Sequence, residues 1–173
     1  MLANEPALID AARAGSEPAF TTLALYYRDR LLRFLIVRGQ TQADAEDAAQ
    51  DALVNAWRYL PTYDNRWRFS TWLYRIALRR IPRAAANVVA LTGDEAAPAQ
   101  LLRDVERDNL WRLAQQHLSR DACSALWLKY AEDLSISEIA GVMGRSQSAV
   151  KVGLMRSRNT LAAIAQEQDD DND

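Results

Sequence analysis

The chain has 173 residues, 49% of them hydrophobic and 25% charged, enough for one ordinary domain or two small ones with modest cores. It lacks the run of about eighteen apolar residues that a membrane helix needs, and its opening MLANEPALIDAARAG carries Glu5 and Asp10 instead of a basic start, so neither a membrane span nor a secretory signal is expected. A soluble cytoplasmic protein follows, and a single cysteine, Cys123, six residues from the only histidine, His117, argues against a disulfide, a metal site or a Cys/His nucleophile.

The pattern is helical nearly throughout. Pro6 in a first turn and Gly15 as a stop mark a short first helix. Ser16 before EPAF then predicts an N-cap, opening a long helix in which Phe20, Leu23, Tyr27, Leu31 and Phe34 recur at helical spacing before Gly39. Thr41 to Asp44 has capping-box spacing, with Asp for the usual Glu or Gln, and starts a third helix through Trp57. On it Asp44, Asp47 and Asp51 share one face, while Ala45, Ala48, Ala52 and Ala56 line the other. LPTYDNRW breaks the periodicity, and a fourth helix is predicted from about Phe69 to Ile81, ahead of Pro82.

The stretch PRAAANVVALTGDEAAPAQ is rich in Ala and Pro, and residues 83–101 read as a linker, which as a flexible coil of roughly twenty residues would span about 25 Å. VERDNLWRLAQQHL and SRDACSALWLKYAEDL read as two amphipathic helices, and a shorter pair meets at GRS. The expected architecture is all-α: one helical module over 1–82, a second over 102–166, and an acidic disordered tail over 167–173.

The net charge of -2 hides a segregation of sign. From Arg58 to Arg83 seven arginines face one acid, Asp64, and seven of the fourteen aromatics lie between Trp57 and Tyr74. Four bases and no acid lie from Arg145 to Arg158, and the compensating acids gather in DAEDAAQD, DVERD and the tail. Charge divided in this way suggests a polyanion on some surfaces and another partner elsewhere.

The second module carries a helix-turn-helix pattern. Ser135 with Glu138 makes a capping box, Ile139, Ala140 and Met143 face inward, Gly144 allows a sharp turn, and Ser146 caps a helix whose Val150, Leu154 and Leu161 pack inward. Its outward face presents Gln147, Ser148, Lys151, Met155 and Arg158, with Arg145 and Arg156 at the margins, a set suited to phosphate anchoring and base-edge contacts in a major groove. The plainer alternative is the solvated face of a small bundle. In the first module Phe69, Leu73 and Ile76 share an inward face and Trp67 lies in the loop, where it is the better candidate for exposure.

In this order, helical module, linker and helix-turn-helix, the chain resembles the extracytoplasmic-function sigma factors, the two-domain initiation subunits of bacterial RNA polymerase. ALIDAARAGSEPAFTTLALYYRDRLLRFL, DAEDAAQDALVNAWRYL, FSTWLYRIA and LKYAEDLSISEIAGVMGRSQSAVKVGLMRSR carry the likeness in the family's order. The resemblance implies that Asp44, Asp47, Gln50, Asp51 and Asn55 dock on the clamp coiled coil of the polymerase's largest subunit, with a further contact to its flap region. It implies that Tyr63, Asn65, Arg66, Trp67, Arg68, Trp72, Arg75 and Arg79 meet the melted strand of the -10 promoter element. Arg145, Ser146, Gln147, Ser148, Lys151, Met155, Arg156 and Arg158 would meet the -35 element as duplex.

An anti-sigma factor is an implied regulator, and no cofactor is implied. Trp67 and Arg68 stand where relatives usually have glycine and a small polar residue, and Gly153 where they usually have arginine. With no phosphate-binding glycine loop, metal cluster or nucleophile beside a base, an enzyme is not expected. The competing readings are a regulator that uses the helix-turn-helix alone on duplex DNA and an interaction protein that binds polymerase without reading DNA.

Overall fold

A computed structural model describes residues 2–80 and 107–170, and the described residues are helical with no strand. The expected linker, 83–101, and the tail residues 171–173 lie outside them. The chain divides into two compact units, Met1–Ile36 with Gln40–Pro82, and Val37–Gly39 with Arg83–Asp173.

The first unit starts with α1 (Glu5–Arg13), which has Pro6 in its first turn. Gly15 turns the chain at φ +97, a left-handed conformation that a side chain would strain. α2 (Glu17–Val37) begins where the backbone N–H of Ala19 donates to Ser16 Oγ at 3.4 Å. Leu23, Leu31, Phe34 and Leu35 of α2 are fully buried. Phe20, expected among them, is half-buried and packs against Trp57 at 4.9 Å between ring centroids.

α3 (Gln42–Tyr59) is capped by Thr41, whose Oγ1 accepts from the N–H of Asp44 at 3.2 Å. The expected capping box is half formed. The Asp44 carboxylate takes the Thr41 hydroxyl at 2.7 Å instead of the Thr41 N–H, since aspartate is one methylene shorter than the glutamate that closes such a box. The inward column is Ala45, Ala49, Ala52 and Ala56, with Ala48 half-buried. This small-residue face packs against α4 (Phe69–Arg80), reached through a 3-10 turn, Leu60–Thr62. Phe69, Leu73, Tyr74 and Ala77 supply the opposing face, where Ile76 is only half-buried. Tyr74 meets Phe34 edge-on at 4.9 Å, joining α2 to α4. Each large side chain so buried contributes roughly 1.5–3 kcal/mol.

The second unit holds α5 (Arg107–His117), α6 (Arg120–Tyr130), α7 (Ile136–Met143) and α8 (Gln147–Asp170). α6, expected to be amphipathic, is buried without interruption from Cys123 to Leu128 because α5, α7 and α8 all pack on it. Trp127 of α6 lies 5.0 Å from the Trp111 ring of α5. The Cys123 thiol donates to the Ala114 carbonyl at 3.4 Å, and burial pushes its pKa up to about 11, which suits a core residue and not a nucleophile. α8 extends to Asp170, so residues 167–170, expected to begin a disordered tail, end a helix. The Ala and Gln residues before them propagate helix well, and continuing a helix costs far less than nucleating one.

Candidate nucleic-acid and polymerase interfaces

The helix-turn-helix is built by local chemistry. Ser135 Oγ accepts from Glu138 N–H at 3.2 Å while Glu138 Oε2 accepts from Ser135 N–H at 2.9 Å, a complete capping box at the start of α7. Gly144 ends α7 at φ 62, and Ser146 Oγ accepts from Ala149 N–H at 3.2 Å to start α8. Ile139, Ala140 and Val142 face inward, and the expected Met143 is half-buried in place of Val142. Val150, Leu154 and Leu161 of α8 are buried as the spacing predicts, with Ser157 sharing their face.

The opposite face of α8 is open. Gln147, Ser148, Lys151, Met155 and Arg156 are exposed, and so are Arg145 and Ser146 in the turn before it. Arg158 is half-buried, because the helical period carries position 158 back toward the face of Leu154 and Leu161. Arg156, expected at the margin, thus belongs to the centre. Val152 was missed: 41% exposed beside Met155, also 41%, it gives the stripe an apolar middle suited to thymine methyl groups. Its signal was an apolar residue one position after Lys151, off the inward spacing of Val150 and Leu154.

Arg145 is already engaged. Its guanidinium donates to Asp121 Oδ2 at 2.9 Å. Burial pushes the Asp121 carboxyl up, but the hydrogen bond and charge of Arg145 are among the effects that outweigh it and hold that carboxyl below the usual range.

In the first unit the eight residues expected at the -10 strand separate by burial. Asn65, Arg66 and Trp67 are exposed in the turn before α4, and Arg75 and Arg79 are exposed on α4. Arg68 and Trp72 are half-buried; Arg68 precedes the helix and accepts the Trp72 N–H at 3.2 Å through its carbonyl. Tyr63 is buried, which removes it from a stacking platform. Its ring packs on Phe69 at 5.6 Å and Trp72 at 5.3 Å, and burial first, then the charges of Glu5 and Asp64, push its phenol up to about 12.

The turn is closed several times over. The Asp64 carbonyl accepts the Trp67 N–H at 3.1 Å, the Asp64 carboxylate accepts the Arg66 N–H at 3.0 Å, and Tyr63 Oη donates to the Trp67 carbonyl at 2.5 Å. The other carboxylate oxygen of Asp64 takes Arg66 Nε at 2.8 Å and Nη2 at 2.6 Å. The Arg66 side chain, and next its backbone N–H, hold the Asp64 carboxyl below the usual range. Trp67, 45% exposed, is left facing water.

A third surface lies on α3. Asp44, Asp47, Gln50 and Asp51 are exposed together, with Val54 at 51% extending the face. Asn55 is not part of it: only 6% exposed, it donates its amide to the Asp51 carbonyl at 2.7 Å. Position 55 follows Ala52 by three residues and so falls on the packed side.

Two helical units, one bearing a helix-turn-helix with an open basic face and the other an acidic helix beside an arginine and aromatic turn, define a DNA-binding transcription protein. Sigma-70 region 2 matches residues 23–87 and Sigma-70, region 4 matches residues 110–161. The RNA polymerase sigma-H factor of Pseudomonas aeruginosa is 29% identical, over 89% of this chain and 90% of that protein. The ECF RNA polymerase sigma factor SigW of Bacillus subtilis is 26% identical, over 88% of this chain and 92% of its own length. In solved structures, the sigma factor RpoE of Bartonella quintana, in complex with the anti-sigma factor NepR, shares the fold at TM-score 0.61 and 22% identity, over 85% of this chain and 96% of that one. The chain belongs to the extracytoplasmic-function group of the sigma-70 family.

Proposed function

We propose that the chain binds core RNA polymerase through its first unit and brings it to promoters by reading two DNA elements, catalysing no reaction itself. The acidic face of Asp44, Asp47, Gln50 and Asp51 docks on the clamp coiled coil of the largest subunit, and the second unit lies near the flap region. Trp67 stacks on an unpaired base of the -10 strand, where stacking on a ring contributes about 1–3 kcal/mol, while Arg75 and Arg79 follow the phosphates. Exposed Gln147, Ser148, Lys151, Val152, Met155 and Arg156 enter the major groove of the -35 element.

The observation that carries this is the open face of α8 in a chain whose other unit presents both an acidic helix and an arginine and aromatic turn. A regulator acting on duplex DNA alone has no use for either. The work is that of the cytoplasm; no described helix is long and apolar enough to cross a membrane. An anti-sigma factor is the expected antagonist, by analogy with the partner of the Bartonella protein. Run-off transcription with purified core polymerase and promoter DNA tests the proposal. Promoter-dependent initiation is the expected outcome, and failure to join core, or to initiate once joined, defeats it.

A further inference from the structure

Trp67 is exposed while both of its backbone polar groups are committed: its N–H goes to the Asp64 carbonyl at 3.1 Å and its carbonyl receives the Tyr63 hydroxyl at 2.5 Å. Arg66, the residue before it, is fixed as well, since the Asp64 carboxylate accepts the Arg66 N–H at 3.0 Å. Tyr63 is itself immobilised in the core by the Phe69 and Trp72 rings, so the clasp transmits the position of α4 to the turn.

We infer that Tyr63 and Asp64 are positioning residues that hold Trp67 in its base-stacking pose before DNA arrives. This rests on the proposal that Trp67 stacks on an unpaired base. A single indole on a free loop would have to surrender the conformational freedom of several backbone bonds on binding; a turn closed in advance has already lost it, and that difference appears as affinity. The Asp64 carboxylate does two separable jobs. Oδ1 holds the turn through the Arg66 N–H, a bond that a neutral amide oxygen can also accept. Oδ2 holds the Arg66 guanidinium, an ion pair open to solvent and of little energetic weight. Positioning therefore follows the hydrogen-bond acceptor and not the charge.

The probe is single-stranded DNA selected from a random pool by the wild-type chain bound to core polymerase, titrated against that same complex. Tyr63→Phe keeps the ring and removes only the hydroxyl, and should weaken binding of the probe about fivefold, the equivalent of one net hydrogen bond, with core binding unchanged. Asp64→Ala should weaken it by a similar factor, and Asp64→Asn should restore it to within about twofold of wild type, because the acceptor for the Arg66 N–H returns. Placed in a Trp67→Ala background, Tyr63→Phe should remove little more, which separates positioning of the indole from a general loss of fold. Wild-type affinity in Tyr63→Phe or Asp64→Ala, Asp64→Asn as weak as Asp64→Ala, or full additivity with Trp67→Ala each overturns the inference. Wild-type affinity in Trp67→Ala alone instead defeats the stacking proposal beneath it.

Discussion

Arg145, in the turn between α7 and α8, donates to Asp121 of α6 at 2.9 Å, and the same carboxylate also takes Arg38 at 3.2 Å, so one cation of the proposed DNA surface is already paired in part within the second unit. Lys151 and Arg156, farther along α8, are exposed. A phosphate contact contributes to affinity through release of counterions, and a cation already paired with a carboxylate has fewer to release.

Arg156→Ala should therefore lower the salt slope of duplex DNA binding by about 0.9, the value for one neutralised phosphate charge. Arg145→Ala should lower it by clearly less. Titration of promoter duplex across a range of salt concentrations measures both; equal slopes for the two variants would show that Asp121 releases Arg145 to DNA at no cost.

Asp47 and Asn55 should respond in opposite ways. Asn55→Ala removes a buried amide that donates to the Asp51 carbonyl at 2.7 Å, so it should cost about 1–2 kcal/mol of stability, read as a lowered Tm, with core binding altered only through folding. Asp47→Lys, on the exposed face, should leave Tm nearly unchanged and weaken core polymerase binding by tenfold or more, on the order of 1.4 kcal/mol for reversing a charge at an interface. Core binding by Asp47→Lys at wild-type strength would remove α3 from the polymerase surface.

Gly153 lies inside α8, and a Cβ built on it meets nothing within 4 Å. Gly153→Ala should then stabilise the second unit by up to about 1 kcal/mol, since alanine forms helix better than glycine and nothing has to move to admit the methyl group. Thermal unfolding checks the sign. Gly153→Arg should gain similarly and steepen the salt slope of duplex binding by adding a cation to α8; a Tm below that of wild type in both variants would mean that glycine is required there.

Alkaline titration should act on the first unit through Tyr63. Its pKa is raised from the ordinary 10.0 to about 12, so the folded state favours the neutral phenol. That stability is fully present below pH 10.0 and is lost as pH rises through about 12. Tyr63→Phe, with no proton to lose, should show a shallower decline of stability over this window. Chemical unfolding at a series of pH values, followed in both proteins, measures it, and parallel declines would assign the loss to other groups.

The elements were legible because their signals are local. Ser16, Ser135, Ser146 and Gly144 start or stop helices by bonds and backbone angles made within four residues of themselves, and each acts where the sequence places it. Thr41 is the instructive partial case: the cap forms, while the reciprocal arm depends on one methylene that Asp44 lacks. The acidic face of α3 was legible too, since helical period alone puts Asp44, Asp47 and Asp51 together.

What period could not reveal was how far each face is covered. Asn55 and Arg158 sit near the boundary between two faces, and their burial depends on how closely neighbouring helices approach. Trp67 was expected to be exposed from its place in the loop, but nothing local marked Tyr63, four residues earlier, as buried. Phe69 and Trp72 of α4 cover Tyr63 and leave Trp67 in water, and Arg145 meets Asp121 across 24 positions of sequence. The sequence by itself determined the helices, the helix-turn-helix and the two polarities of charge, because caps, turns and periodicity act over a few residues. Tertiary packing alone decided that Tyr63 is an anchor, and which arginine is already paired, because those outcomes depend on side chains that only the folded chain brings together.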